Sequence, residues 1–168
     1  LNNMSLKNLM TNYANYNLWV NQQFANWLSE KSDDLLHKEV PSSYSSIAKT
    51  LNHIWETEEY WYSVISEAGV FEKKENVDLN KNEIFKRLLQ SSAKLAEYIN
   101  SLSDEQLAKE IKIDNPWFQC EFPLSEYLLQ VVNHGTYHRG QIVTIGRNIG
   151  ITDASNTDYN FYNVVKGQ

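Results

Sequence analysis

Three of the four histidines in this 168-residue chain, His53, His134 and His138, are the side chains best placed by type and spacing to do chemistry. His134 and His138 are four apart, so on a helix their rings leave one face a turn apart and can chelate a single ion. A third imidazole from His53 completes a set of three neutral nitrogen donors, each about 2.0 to 2.2 Å from a divalent transition metal, with one coordination position left open. Catalytic metals use such an opening: there a water can reach a pKa near 7 and a thiol loses its proton. Any one of these histidines taken alone reads better as a core residue satisfied by a single hydrogen bond. Their joint placement on inward-facing stripes favours the metal. His37, in a connecting segment, reads as a surface residue.

Four amphipathic segments must position them. From Ser5 to about Ser29, Leu6, Leu9, Tyr13, Tyr16, Val20, Phe24 and Trp27 recur at helical spacing. Ser42 to Ser66 repeats the pattern with Ile47, Leu51, Ile54, Trp61 and Ile65, entered at Pro41 and ended by Gly69. After a polar linker around Lys73 to Asn80, a third stripe of Ile84, Leu88, Leu95, Ile99 and Leu102 is opened by Asn80 or Asn82 as cap, and Ser103 starts a short turn with Gln106 at capping-box spacing. Ile111 to Phe122, with Asp114-Asn115-Pro116 as a turn cluster before Trp117-Phe118, predicts a small hairpin or irregular loop. Pro123 and Ser125 open the fourth helix, with Leu128, Val131, Val132, Ile142 and Ile145 inward, and Gly150 supplies a left-handed cap. The aromatic stretch Asp158 to Tyr162 is expected to pack against the helices.

The chain also repeats itself. Ser32 to Val40 lines up with Ser103 to Ile111, and Ile47, Leu51, Asn52 and His53 line up with Leu128, Val132, Asn133 and His134. Between the two matches the second half gains ten residues, the expected hairpin. The order suggests two similar helix pairs about a pseudo-twofold, which sets His53 and His134 in equivalent places facing across the core, where bundles build metal sites. The expected fold is therefore all-α, a four-helix bundle of two pseudo-symmetric pairs forming one domain over residues 1–168, with the small insertion before the last helix.

Composition narrows the function. Apolar residues make up 42% and aromatic ones 12% of the chain, enough to stabilise a packed core rather than a disordered chain. The net charge of -6 and the lack of a basic cluster argue against nucleic acid and against anionic membranes as partners. The single cysteine, Cys120, precludes an intrachain disulfide, and no apolar run is long enough to span a bilayer. A cytoplasmic setting follows as the expectation. The opening Leu1-Asn2-Asn3-Met4 lacks the layout of a secretory signal and suggests a start at Met4 behind tag residues.

The segment Val132-Asn133-His134-Gly135-Thr136-Tyr137-His138-Arg139-Gly140-Gln141-Ile142 is similar to the signature of the DinB/YfiT-like family of metal-dependent enzymes, two histidines followed by Arg-Gly-Gln. Leu51-Asn52-His53-Ile54, with Glu58 and Trp61 downstream, resembles that family's ligand segment on its second helix, and Tyr16-Asn17-Leu18-Trp19-Val20-Asn21 resembles its first-helix pattern. The resemblance covers nearly the whole chain. It implies an up-down-down-up bundle, frequent homodimers, and zinc, nickel, iron or manganese held by His53, His134 and His138. Some relatives transfer low-molecular-weight thiols onto electrophiles and others isomerise with thiol help.

Around the ligands, several residues admit two readings. Glu58, five after His53, is off the same helical face: it serves as a general base near the rim or, the stronger reading, as a solvated or ion-paired carboxylate. Arg139 binds a substrate carboxylate or forms a structural ion pair, the latter favoured. Gln141 orients a ligand or bonds backbone. Gly140 admits a neighbouring helix or the tail, or marks a packing contact. Tyr137 is a weak candidate proton donor. Cys120 reads as a small buried or half-exposed residue rather than a nucleophile, and Trp19 and Trp61 as core. The leading functional expectation is a metal-dependent transferase or hydrolase that activates a thiol or water against a small-molecule electrophile. The alternative is a non-catalytic dimeric bundle that binds metal or senses a ligand.

Overall fold

Serine and asparagine side chains set where five of the described helices begin. The computed structural model describes residues 5–69, 71, 79–116 and 119–167; most of the predicted Lys73 to Asn80 linker, Trp117-Phe118 and Met4 lie outside them. Ser5 caps α1 (Leu6–Ser29) by accepting from the Asn8 amide, Ser46 caps α3 (Ile47–Ile65), and Asn80 caps α4 (Lys81–Ser101). The short helices α2 (Asp33–His37) and α5 (Asp104–Leu107) start on Ser32 and Ser103, and Ser103 with Gln106 closes a full capping box. Each such cap satisfies an orphan amide and is worth about 1 kcal/mol. The strands β1 (Glu110–Asp114) and β2 (Gln119–Pro123) pair antiparallel, with Ile113 opposite Cys120. They precede α6 (Leu124–Asn148), and α7 (Tyr159–Val165) ends the chain.

Two boundaries differ from expectation. The second long helix begins at Ile47, not Ser42. Serine hydroxyls compete with the helix for backbone groups, and in the run from Pro41 to Ser46 it is Ser46 whose Oγ takes the Lys49 amide at 3.1 Å, leaving Ser43 and Tyr44 outside the helix. That helix also stops at Ile65, ahead of Gly69, which adopts φ +103° in the turn beyond. At the far end of α6 the expected cap forms: Gly150 has φ +95°, and the Ile151 amide bonds the Gly146 carbonyl at 2.8 Å while the Gly150 amide bonds Arg147. Ser125 lies within α6, which starts at Leu124 behind Pro123 without a side-chain cap.

Each long helix packs against two others: α1 and α3 both touch α4 and α6. Val20, Leu28, Leu51, Leu88, Ile99, Leu128, Val132 and Ile142 are sealed from solvent between them. Leu36 of α2 and Leu107 of α5, partners in the internal repeat, are equally sealed, as are Ile47 and Leu51 and their repeat partners Leu128 and Val132. The protein is thus mostly helical with one small two-stranded sheet. Among the described residues no helix is long and apolar enough to cross a membrane. The C-terminal aromatics do pack: Tyr159 meets the rings of Tyr13 and Tyr16, and Tyr162 those of Tyr16 and Trp19. Trp61 is buried as expected, whereas Trp19 is half-buried beneath α7.

The glycine reading needs correction. A Cβ at Gly140 would meet nothing within 4 Å, so no neighbour approaches there. Gly135 is the tight position: a Cβ would stand 2.8 Å from Nη1 of Arg139. Gly135→Ala is therefore expected to displace that guanidinium and cost roughly 1 to 3 kcal/mol. Gly140→Ala should instead stabilise the exposed helix position by roughly 0.5 to 1 kcal/mol. Paired urea titrations of the two variants check the opposite signs.

Candidate metal centre

α3 and α6 bring the three histidines together. The Nε2 of His53 lies 3.3 Å from that of His134, and the Nε2 of His138 lies 3.1 Å from it. One ligand atom from each ring falls within 4.8 Å of the other two. Two nitrogens that share an ion at about 2.0 to 2.1 Å, at tetrahedral or octahedral angles, stand about 2.8 to 3.4 Å apart, so the two spacings of 3.1 and 3.3 Å suit a common cation.

In His53 and His138 the other ring nitrogen is committed elsewhere, which in His138 settles the tautomer. Gln141 turns its Nε2 to the hydroxyl of Ser43 at 3.3 Å, so its carbonyl Oε1 faces His138 and accepts from Nδ1–H at 2.8 Å. An acceptor at Nδ1 requires the proton there, leaving His138 Nε2 with a bare lone pair. The hydroxyl of Tyr44 bonds Nδ1 of His53 at 2.8 Å, and its ring stacks on the His53 ring with centroids 4.2 Å apart and meets His138 edge-on. Burial lowers the His134 pKa to about 4, helped by the neighbouring His138, and burial also lowers His138 against the pull of Gln141. Both rings are neutral at pH 7, the form a metal needs.

Tyr44 and Ser43 were not singled out from the sequence, because they occupy a serine-rich bend with no periodic pattern. Gln141 was. Replacing Gln141 by leucine should free the His138 ring to change tautomer and weaken metal binding about 10- to 100-fold. Cobalt titration followed by visible absorption measures this, with helix content as the control.

Among the remaining candidates Tyr137 touches a histidine ring, whereas Glu58 and Arg139 make their hydrogen bonds with other residues. Tyr137 is 63% exposed, its ring edge-on to His138. Glu58 is corrected outright: it is neither solvated nor at a rim, but 2% exposed on the side of α3 that faces α1 and α4. Its Oε1 accepts from Nδ2 of Asn17 at 2.7 Å and of Asn21 at 3.0 Å, and its Oε2 from Ser92 Oγ at 2.7 Å. Burial raises its pKa, opposed by these bonds and by the charge of Arg139. Arg139 is 4% exposed. Its Nη1 donates to Oδ1 of Asn17 at 3.3 Å and of Asn21 at 3.0 Å, and its Nη2 to Thr136 at 2.9 Å. Two asparagines one turn apart on α1 thus bridge a buried carboxylate and a buried guanidinium. The sequence signal was a pair of amides at four-residue spacing inside an apolar stripe.

Two further expectations resolve. His37 is half-buried rather than superficial, its ring nitrogens against the carbonyls of Asp33 and Leu79. Cys120 is half-exposed in β2 with Sγ 3.4 Å from the Tyr127 hydroxyl, whose pKa burial pushes up to about 12. A cavity of about 750 Å³ opens beside His53, with Tyr44, Asn52 and Glu56 also in its wall.

The chain matches the model of the family described as DinB over residues 4–166. It is also similar to "Protein DinB" of Bacillus subtilis (strain 168), 33% identical over 166 residues that cover 88% of this chain and 89% of that protein.

Proposed function

Because the chain belongs to the DinB family, we propose that it is a metal-dependent enzyme in which His53, His134 and His138 hold one divalent ion, zinc, nickel, iron or manganese, beside an open coordination position. The observation that supports this reading most is the convergence of three imidazoles, with Nε2 of His134 at metal-sharing distance from Nε2 of both His53 and His138 and two of the rings held from behind by Tyr44 and Gln141. When bound, the ion would supply Lewis acidity, enough to activate a low-molecular-weight thiol or a water against a small electrophile. Tyr44 and Gln141 hold His53 and His138 in place, and the cavity beside His53 gives a small molecule room to approach. On this reading the four long helices form one up-down-down-up bundle over residues 1–168, two pseudo-symmetric pairs that work as a cytoplasmic homodimer.

Protein purified without an affinity metal column, assayed for metal content and for turnover on thiol-plus-electrophile, ester and amide panels, tests the proposal. Turnover that rises with bound metal supports it. A loaded protein silent on every panel, with its metal coordinatively saturated, overturns it.

One observation favours a second reading, a non-catalytic bundle that binds metal or senses a ligand: Glu58, the carboxylate five residues after His53 in the ligand segment, is turned into the core and bonded to α1 and α4. A structural ion normally has four protein ligands. Stripping it should then leave the chain largely unfolded, whereas a modest shift in melting temperature on chelation favours the enzyme.

A further inference from the structure

We infer that the buried lattice of Asn17, Asn21, Glu58 and Arg139 positions the histidines, setting the rotation of α6 against α3 so that His134 and His138 meet His53. The inference rests on the metal reading above and adds to it four residues, none of them a ligand. Arg139 directly follows His138, and Glu58 lies five residues after His53, so each ligand helix carries one charged member of the lattice. Both members end on the same two side chains of α1, since Asn17 and Asn21 each donate to Glu58 and accept from Arg139. Ser92 of α4 donates to the other oxygen of Glu58 and accepts from Asn21. All four long helices therefore meet at one point.

Geometry explains why such a lock is needed. Side-chain tips lie about 5 to 6 Å from a helix axis, so a rotation of α6 by about 10° moves a ring nitrogen by about 1 Å. A metal site tolerates about 0.2 Å. Apolar contacts along α3 and α6 are non-directional and resist such a rotation weakly. A guanidinium whose one nitrogen serves two amide oxygens is directional, and Gly135 leaves it the space to reach them.

Arg139→Lys keeps the charge and removes the planar fork, and Asn17→Ser cuts one of the two bridges. Leu95→Ala, in the sealed core of α4, is the control for destabilisation alone. Expected for Arg139→Lys is cobalt binding at least tenfold weaker, with the visible d–d bands shifted in energy and intensity, and a smaller change of the same kind for Asn17→Ser. Leu95→Ala should bind like the parent despite a lower melting temperature. In metal-free protein, long-range proton–nitrogen spectra of the imidazoles should show His134 and His138 displaced in both lattice variants and unmoved in Leu95→Ala. Unchanged rings and affinity in Asn17→Ser and Arg139→Lys, or equal changes in Leu95→Ala, overturn the inference. If Arg139→Lys does not fold, Asn17→Ser decides. If the parent takes up no cobalt, the metal reading falls by itself, while the metal-free spectra still decide whether the lattice sets the rings.

Discussion

Alanine at position 134 is expected to abolish tight metal binding while leaving the helices in place. His134 is the ring that both others approach, at 3.3 Å from His53 and 3.1 Å from His138. Without it, two donors from different helices remain, and the loss should exceed the about 10- to 100-fold that removal of an outer hydrogen-bond partner costs. The fold should survive because the ring is half-buried and the neighbouring core positions Val131, Val132, Gly135 and His138 are untouched. Elemental analysis after dialysis, cobalt titration and far-ultraviolet circular dichroism measure the three parts of this expectation. Retention of one equivalent of metal by the variant would show that the three rings are not the ligand set. If the parent is an enzyme, its turnover should vanish with the metal.

Much of the centre was legible because helical periodicity converts spacing into direction. A four-residue step returns to within about 40° of the same face, which is why His134 and His138 could be expected to meet. The internal repeat matched His53 with His134, whose rings do meet, and the residues it matches ahead of them, Ile47 with Leu128 and Leu51 with Val132, are all sealed from solvent. Glu58 shows where this logic stops. Its five-residue step from His53 turns it about 140° round the helix, which says that it leaves the metal but not what it meets. Only the packing of α1 on α6 and α4 supplies Asn17, Asn21 and Ser92 as partners and turns an apparent surface acid into a core group. The same holds for Gly135: its tightness depends on where the Arg139 side chain points, which no spacing rule gives. Tyr44 and Ser43 escaped because a bend has no period, so nothing in the local sequence says which of its side chains turns back onto α3 and α6.

Glu58→Leu should be the most destabilising single change in the protein, costing about 3 to 5 kcal/mol, because it removes one side of a buried charge arrangement and leaves the rest. The Asn17 and Asn21 amides lose their shared acceptor, Ser92 loses its carboxylate, and the Arg139 guanidinium stays buried without the opposite charge. Combining it with Arg139→Leu should cost less than the two single changes together, since apolar partners of similar volume no longer strand a charge. A double-mutant cycle from urea titrations yields that coupling, and strict additivity would show that the carboxylate and guanidinium do not sense each other through the asparagines. The pH dependence carries a sign of its own. Burial holds the Glu58 pKa above its ordinary value of 4.5, so the folded state takes up this proton at a higher pH than the unfolded chain does. The resulting stabilisation is complete below the unfolded value and is lost as pH rises through the folded one. Glu58→Gln removes that titration, so the stability of the parent measured against Glu58→Gln should decline as pH is raised from below 4.5 toward neutrality. A difference that stays level across that range, or climbs, would mean that the hydrogen bonds from Asn17, Asn21 and Ser92 together with the charge of Arg139 outweigh desolvation and hold the group as a carboxylate throughout.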